Sequence, residues 1–323
     1  MELGKSIGLE MGVATRDAFG KTLEEMGAEI ENIVVVDGDV HDSTRTRFFK
    51  NAFPERFFNV GIAESNLVGI ASGLAASGKQ PLAASFAAFL LCNAYDQIRM
   101  GIAYPRLDVK LVGSHSGISL GQDGPSQMAI EDLALAASLP YFTVLVPADE
   151  HAAVWATRAM FDHHGPVYLR TGRPDAPQVY NVDSTFQLGK ANVVREGNDL
   201  TIVACGLMVA IALEAAHTLS QQGIEARVLD MHTVKPIDHA AIEKAALETG
   251  AILTAEEHSI VGGLGAAVAQ IVTAKQPVPM TYVAIMDEYA ESGDPDDLFD
   301  KYGISAKHIV QKTTELLDRK QAS

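Results

Sequence analysis

At 323 residues, with 47% hydrophobic and 20% charged side chains, the chain has a globular composition and length enough for two domains. Asp and Glu outnumber Lys and Arg by 41 to 25, a net charge of −16, which argues against nucleic acid or an anionic membrane as main partner. A phosphorylated small molecule stays compatible with that charge, because a pocket needs only a few local cations. The two cysteines, Cys92 and Cys205, are too few and too far apart for a disulfide framework or a zinc site. The N-terminal stretch lacks an apolar signal core and no long apolar run occurs, so the cytoplasm is the expected compartment.

Along the chain, short β-rich runs alternate with helical patterns, which reads as α/β with largely parallel sheets. Strands are expected at 33–36, 57–60, 81–85, 109–113, 143–146 and 167–170. Between them Leu67, Ile70, Ala71 and Leu74 recur at helical spacing, 87–101 is similarly apolar, and 150–162 is an Ala-rich helical stretch. From 174 to 190 the sequence turns polar and loses its period. It reads as an inter-domain linker, dividing the chain into a first domain over 10–176, a linker over 177–190 and a second domain over 191–323. In that second α/β unit strands are expected at 200–204, 226–230 and 251–255, with helices at 208–222 and 239–249 and another starting near Gly263. The polar tail 319–323 is expected to fray.

Three glycine-containing stretches invite a chemical reading. VVVDGDVHDST, at 34–44, follows a strand and has the residue types of a metal or phosphate loop. VGGLGAA, at 261–267, has the look of a dinucleotide fingerprint but lacks its strict spacing and N-terminal placement, and close helix packing explains its glycines better. GSHSGISLGQDGPSQMAIED, at 113–132, follows a strand and displays His115, Asp123 and Gln127 on a long loop, a feature more often functional than not.

Glu64, in NVGIAESN, opens an apolar helix whose sequence looks buried. An ordinary first-turn carboxylate would simply complement the helix dipole. Among apolar neighbours, however, it would be desolvated, its pKa raised, and suited to sharing a proton with a bound heterocycle. Phe86 and Phe89 lie three apart in SFAAF. Core packing is their default role, yet Ala87 and Ala88 between them leave room for a flat ring to stack.

Taken in order, VGIAESN, SFAAF, AYDQIRM, GSHSGISLGQDGPSQMAIED, VPADE, YLRTGRPD, RVLDMHTVKPID and TAEEHSIVGGLGAAV resemble the transketolases from Gly12 onward. The resemblance covers two of that family's three domains, the pyrimidine-binding domain and the C-terminal domain. The diphosphate-binding domain is the one not represented. What the resemblance implies is the β-type subunit of a two-chain, thiamine-diphosphate-dependent transketolase. Such an enzyme moves a two-carbon ketol unit from a ketose phosphate to an aldose phosphate. It implies a partner chain carrying the diphosphate-binding domain, in a heterotetramer of two chains of each kind. Magnesium would be held by the cofactor's diphosphate and the partner, with no metal ligand in this chain.

By the same resemblance Glu64 matches the catalytic glutamate, whose hydrogen bond to the pyrimidine ring nitrogen activates the cofactor. Phe89 matches the ring that stacks on the aminopyrimidine, with Phe86 beside it. Arg16, Ser43 and Arg173 match positions that bind the sugar phosphate, a role suited to the planar guanidinium fork. His115 matches a phosphate or hydroxyl contact and Asp123 a hydroxyl contact, while Asp39 belongs to a substrate-side loop and not to the family's diphosphate motif. Gln127 stands where many members carry a His that contacts the donor. Hydrogen bonding is kept there, but acid–base chemistry is not. Cys92 stands where some members place a Tyr.

The competing expectations are four. A β chain of a 2-oxo acid dehydrogenase's decarboxylating component has similar length and domain order but does not need the phosphate set. A deoxyxylulose-phosphate synthase-like enzyme would accept pyruvate as donor. A non-catalytic interaction subunit would keep the fold without needing Glu64 and Phe89, and a nicotinamide-binding protein would rest on VGGLGAA alone.

Overall fold

In the computed structural model, which describes residues 3–321, the strands run in chain order as follows. They are β1 (Met11–Ala14), β2 (Ile33–Asp37), β3 (Phe57–Asn59), β4 (Gln80–Phe86), β5 (Lys110–Ser114), β6 (Thr143–Leu145) and β7 (Val167–Arg170). Then come β8 (Asp175–Pro177), β9 (Asn192–Arg195), β10 (Leu200–Ala204), β11 (Ala226–Asp230), β12 (Thr233–Lys235), β13 (Ile252–Ser259) and β14 (Met280–Ile285). A seven-stranded sheet has the order β12-β6-β7-β5-β4-β2-β3, and a five-stranded sheet the order β14-β13-β10-β11-β9. Strands β2 to β7 pair parallel, as do β10, β11, β13 and β14. Every residue of β2, β5, β7, β10 and β11 is buried. That is the reason these segments read as near-continuous apolar runs: a parallel sheet is covered by helices on both faces.

One face of the large sheet carries a core built on Phe19, Leu23, Ile33, Leu82 and Met160. The core of the other face, with Leu67, Leu90, Leu111 and Tyr168, continues into Val203, Leu229 and Leu264 of the second α/β unit. The two units therefore share apolar packing. They also share a sheet, because β12 lies beyond the 174–190 stretch yet pairs antiparallel with β6.

Several expectations are corrected. The 174–190 stretch, expected as a linker, is held against the first unit. β8 pairs antiparallel with β1, and the Asp149 carboxylate accepts the Val179 and Tyr180 amides, each at 2.8 Å. The tail does not fray within the described residues. The helix Ala306–Gln321 buries Ile309 and Leu316, and Lys320 Nζ donates to Asp199 O at 2.8 Å and Thr249 O at 2.7 Å. Residues 322 and 323 of that expected tail lie outside the described residues. The apolar segment 87–101 is broken into Ala87–Asn93, Tyr95–Ile98 and a π-helical turn Arg99–Ala103, the first piece ending where Ser65 Oγ donates to Asn93 O at 3.1 Å. The helix Glu64–Ala76 is buried only along Glu64, Leu67, Val68 and Ala71. Ser65, Asn66, Gly69 and Gly73 are exposed, with nothing within 4 Å of a Cβ built at either glycine. Around Gly69 and Gly73 its small residues leave an open face among the described residues. Among the described residues no helix is long and apolar enough to cross a membrane.

Candidate active site

Parallel sheets place ligands at the carboxyl ends of their strands, where the chain turns out of the sheet. In the large sheet those ends are Asp37 (β2), Asn59 (β3), Phe86 (β4) and Ser114 (β5). Most of the residues singled out in the sequence sit just beyond one of them.

Glu64 starts its helix five residues after β3 and is only 6% exposed. Ser85, the penultimate residue of β4, donates from Oγ to Glu64 Oε1 at 3.3 Å. Among the described residues the other carboxylate oxygen has no hydrogen-bond donor. That oxygen is not among the fully buried unpaired atoms, so it opens toward the site and not into the core. Beside it, Phe86 ends β4 and Phe89 lies in the first turn of the next helix. Their rings are stacked at 5.7 Å with an interplanar angle of 16°. Both remain half-buried, so the pair does not belong to the closed core.

The far side of Phe86 is closed by His115, whose ring stacks on it at 4.1 Å and 19°. His115 is 3% exposed and has φ 61°, a left-handed backbone that turns the imidazole inward from the end of β5. Arg16 Nη1 lies 3.2 Å from His115 Nε2 and 3.1 Å from Ser43 O. Because a guanidinium only donates, Nε2 is the acceptor, and the proton sits on Nδ1 facing Ser114 Oγ at 2.9 Å. Burial first, then the positive Arg16, Arg173 and Arg45, drive the imidazole pKa down to about 3, so His115 is neutral at physiological pH. Both of its nitrogens are engaged inside the chain. It shapes the site through Arg16 and Phe86.

Arg16, Arg173 and Arg45 line one cavity of about 440 Å³ with Asp17 and Gln122. Gly172 N donates to Thr15 Oγ1 at 2.8 Å, which brings the loop after β7 against the helix that carries Arg16. Arg173 Nη1 donates to Leu120 O at 2.9 Å and to Asp123 Oδ1 at 3.3 Å. Asp123 is therefore held as an ion-pair partner at the rim. Gln127 contacts Ser126 beside it and meets none of the other predicted residues. The 113–132 loop is clamped from the second unit: Ser119 N donates to Glu257 Oε1 at 2.5 Å, and Ser259 N to Ile130 O at 2.7 Å. Beneath it Arg170 donates to Asp132 at 2.8 and 3.1 Å, and to the carbonyls of Ala129 and Glu257.

Asp37 accepts Val40 N, Thr44 Oγ1 and Thr46 Oγ1 at 2.7 to 2.9 Å, so its carboxylate is committed to holding its own loop. Asp39 has φ 67° and receives Asn59 Nδ2 at 2.6 Å. No group of three His, Cys, Asp or Glu that could hold a metal occurs among the described residues. In VGGLGAA the amides that a dinucleotide phosphate would need, Leu264 N and Gly265 N, are already donated to the Glu256 carboxylate at 2.7 and 2.8 Å. A Cβ on Gly263 would run into that carboxylate, and one on Gly265 would come within 2.8 Å of Thr254 Oγ1. Close packing accounts for these glycines. Cys92 is exposed, and burial of its sulfur with the nearby Glu131 pushes the thiol up to about 11.

Fold and site together describe one α/β domain joined to a second, with a carboxylate bonded through one oxygen beside an aromatic pair at the carboxyl ends of the first domain's strands. The comparisons agree. The family model "Transketolase, pyrimidine binding domain" matches residues 11–178, and "Transketolase, C-terminal domain" matches residues 189–309. The chain is 40% identical over 303 residues to a putative transketolase C-terminal section of Methanocaldococcus jannaschii, covering 93% of this chain and 95% of that one. It is 41% identical over 305 residues to the 6-deoxy-6-sulfo-D-fructose transketolase subunit SqwH of Clostridium sp. (strain MSTE9), covering 94% and 95%. A solved structure described as a split-gene transketolase, inactive beta4 tetramer, superposes with a TM-score of 0.89 at 46% identity, covering 95% and 99%. The chain belongs to the transketolase family, whose cofactor is thiamine diphosphate. It has the make-up of a transketolase β subunit, the pyrimidine-binding domain followed by the C-terminal domain.

Two contributors to the site escaped the sequence reading. Ser85 has no distinguishing signal, since its role follows from the pairing of β4 beside β2. Arg45 stands two residues after Ser43 in STRTR, where nothing separates it from Arg47. Only the fold places the one in the cavity and the other, paired with Asp42, outside it.

Proposed function

We propose that this chain supplies the pyrimidine side of the active site in a two-chain transketolase that moves a two-carbon ketol unit between sugar phosphates. The observation that carries the reading is the Glu64 carboxylate, buried with one oxygen uncommitted, next to the half-buried Phe86–Phe89 pair. A flat apolar wall and a carboxylate able to share a proton are what an aminopyrimidine requires of its protein, and these residues fit it. When bound, thiamine diphosphate supplies the nucleophilic carbon and the electron sink. Glu64 holds a proton against the pyrimidine ring, and Phe89, backed by Phe86, packs on its face. Arg16, Ser43 and Arg173 bind the phosphate end of the sugar, Asp123 and Gln127 its hydroxyls, and His115 stays neutral to fix Arg16. Magnesium and the diphosphate are held by the partner subunit, so no metal ligand is assigned to this chain.

Partner dependence is part of the same reading. The exposed, small-residue face of the helix Glu64–Ala76 begins at the catalytic carboxylate, where a second chain would close the site and exclude water. The β chains of the split-gene relative are described as forming an inactive tetramer. The active assembly proposed here is a heterotetramer with two diphosphate-binding chains, in the cytoplasm, where the two free thiols stay reduced.

Replacing Arg173 by Ala in the reconstituted complex should raise KM for a phosphorylated aldose about tenfold or more, with a smaller change in kcat. The KM for the same aldose without phosphate should stay within about twofold of wild type. An equal effect on both acceptors would remove Arg173 from the phosphate site.

A further inference from the structure

The Arg16–Arg173 cavity contains a third guanidinium whose placement is built into the fold. Arg45 caps the short helix His41–Thr44 with φ 67°, a left-handed conformation that is unfavourable for a non-glycine residue. Its backbone is admitted by Gly20, since a Cβ at Gly20 would lie 2.5 Å from Arg45 Cβ. Its side chain is fixed by two bonds, Nε to Asp17 Oδ1 at 2.6 Å and Nη1 to Asp42 O at 2.7 Å. Nη2 has no partner among the described residues. Arg16, one residue before Asp17, is similar: Nη1 is bonded to Ser43 O and His115, and its Nε makes no hydrogen bond but only a 3.8 Å ion contact with Asp17 Oδ2. Three arginines gather here in a protein whose net charge is −16, offset by Asp17 and Asp175 in the lining and by Asp123 at the rim. Like charges gathered at this cost, with donor edges unpaired, are the signature of a seat for an oxyanion.

We propose that Arg45 is a substrate-binding residue, its Nη2 edge joining Arg16 and Arg173 to grip the terminal tetrahedral oxyanion of the sugar, with Asp17 holding it in position. The inference rests on reading this cavity as the phosphate end of the proposed transketolase site. It adds a binding residue and a preference: a doubly charged terminus, a phosphate monoester, over a singly charged one such as a sulfonate. The three guanidinium groups all belong to this chain, so anion binding is measured on the chain itself as well as on the complex.

The full chain is titrated with inorganic phosphate and with methanesulfonate by calorimetry, as wild type, Arg45→Met, Arg45→Lys and Arg47→Met. Wild type should bind phosphate more tightly than methanesulfonate. Arg45→Met should weaken phosphate binding about tenfold, and Arg47→Met should leave it unchanged. Arg45→Lys, which keeps a charge for Asp17 and guards against misfolding of the Met variant, should fall between. In the reconstituted complex Arg45→Met should raise KM for a phosphorylated acceptor about tenfold with kcat unchanged. Wild-type affinity in Arg45→Met, or no phosphate binding by wild type at millimolar concentration, overturns the assignment. Tighter binding of methanesulfonate overturns the preference. If the complex shows no ketol transfer but phosphate binding still depends on Arg45, the transketolase reading fails and the anion seat stands. Normal turnover with an Arg45-independent KM means the reverse.

Discussion

Glu64→Gln in the reconstituted complex is expected to lower kcat by roughly 10²–10⁴-fold while leaving assembly intact. The amide has the size of the carboxyl and can still accept from Ser85 Oγ, so the packing of Leu67, Val68 and Ala71 behind it need not change. What is lost is the ability to hold a proton at one oxygen and give it up. The side chains placed beside it are the Ser85 hydroxyl and the Phe86 and Phe89 rings, and His115, stacked on Phe86, is kept neutral with both nitrogens engaged. None of these can take over the proton. The kinetics should be read beside sedimentation of the complex. A fall of less than tenfold, with the oligomer unchanged, would remove Glu64 from the chemistry.

Asp132→Asn should be the most destabilising of the substitutions considered. Asp132 is 1% exposed and accepts from Arg170 Nε, Arg170 Nη2 and the hydroxyl of fully buried Tyr168 at 2.8 to 3.1 Å. Burial works against the Arg170 charge, and Asp132 together with Glu257 more than offsets it, holding the guanidinium protonated. Neutralising one partner of a buried pair leaves the other uncompensated, a loss of about 3–5 kcal/mol. The melting temperature should drop on the order of 10 °C. Arg170→Met added to Asp132→Asn should recover part of the loss, because the uncompensated charge is then gone. A single variant within about 1 kcal/mol of wild type would show that this network contributes little. The prediction bears on function as well: Arg170 bonds to Ala129 O in the site loop and to Glu257 O in the second unit, so the same cluster fixes both.

Much of this was legible in the sequence because parallel strands announce themselves. The buried runs at 33–36, 167–170, 200–204 and 226–230 are strands in the structure to within a residue, each too short and too apolar for anything else. Glu64 stood out because a carboxylate opening an apolar helix is rare. What the pattern could not carry was pairing at a distance. β1, β8 and β12 are three or four residues each, and become strands only because a partner from another part of the chain lies alongside. The 319–321 segment looks like a polar tail until its cations meet carbonyls of the second sheet. Burial of the helix Glu64–Ala76 was overestimated because glycine and alanine score as apolar whether they face a core or an open surface. Arg45 was invisible for a similar reason: its cavity is assembled from residues as distant as Arg16 and Arg173.

The measurement that bears most directly on the central claim is a ketol-transfer assay with thiamine diphosphate, magnesium and a ketose–aldose phosphate pair. It compares this chain alone with this chain plus a transketolase diphosphate-binding subunit. The account predicts no turnover by the chain alone and turnover on mixing, rising to a plateau near equal stoichiometry. Turnover by the chain alone, or none in a mixture shown by sedimentation to have assembled, would contradict it.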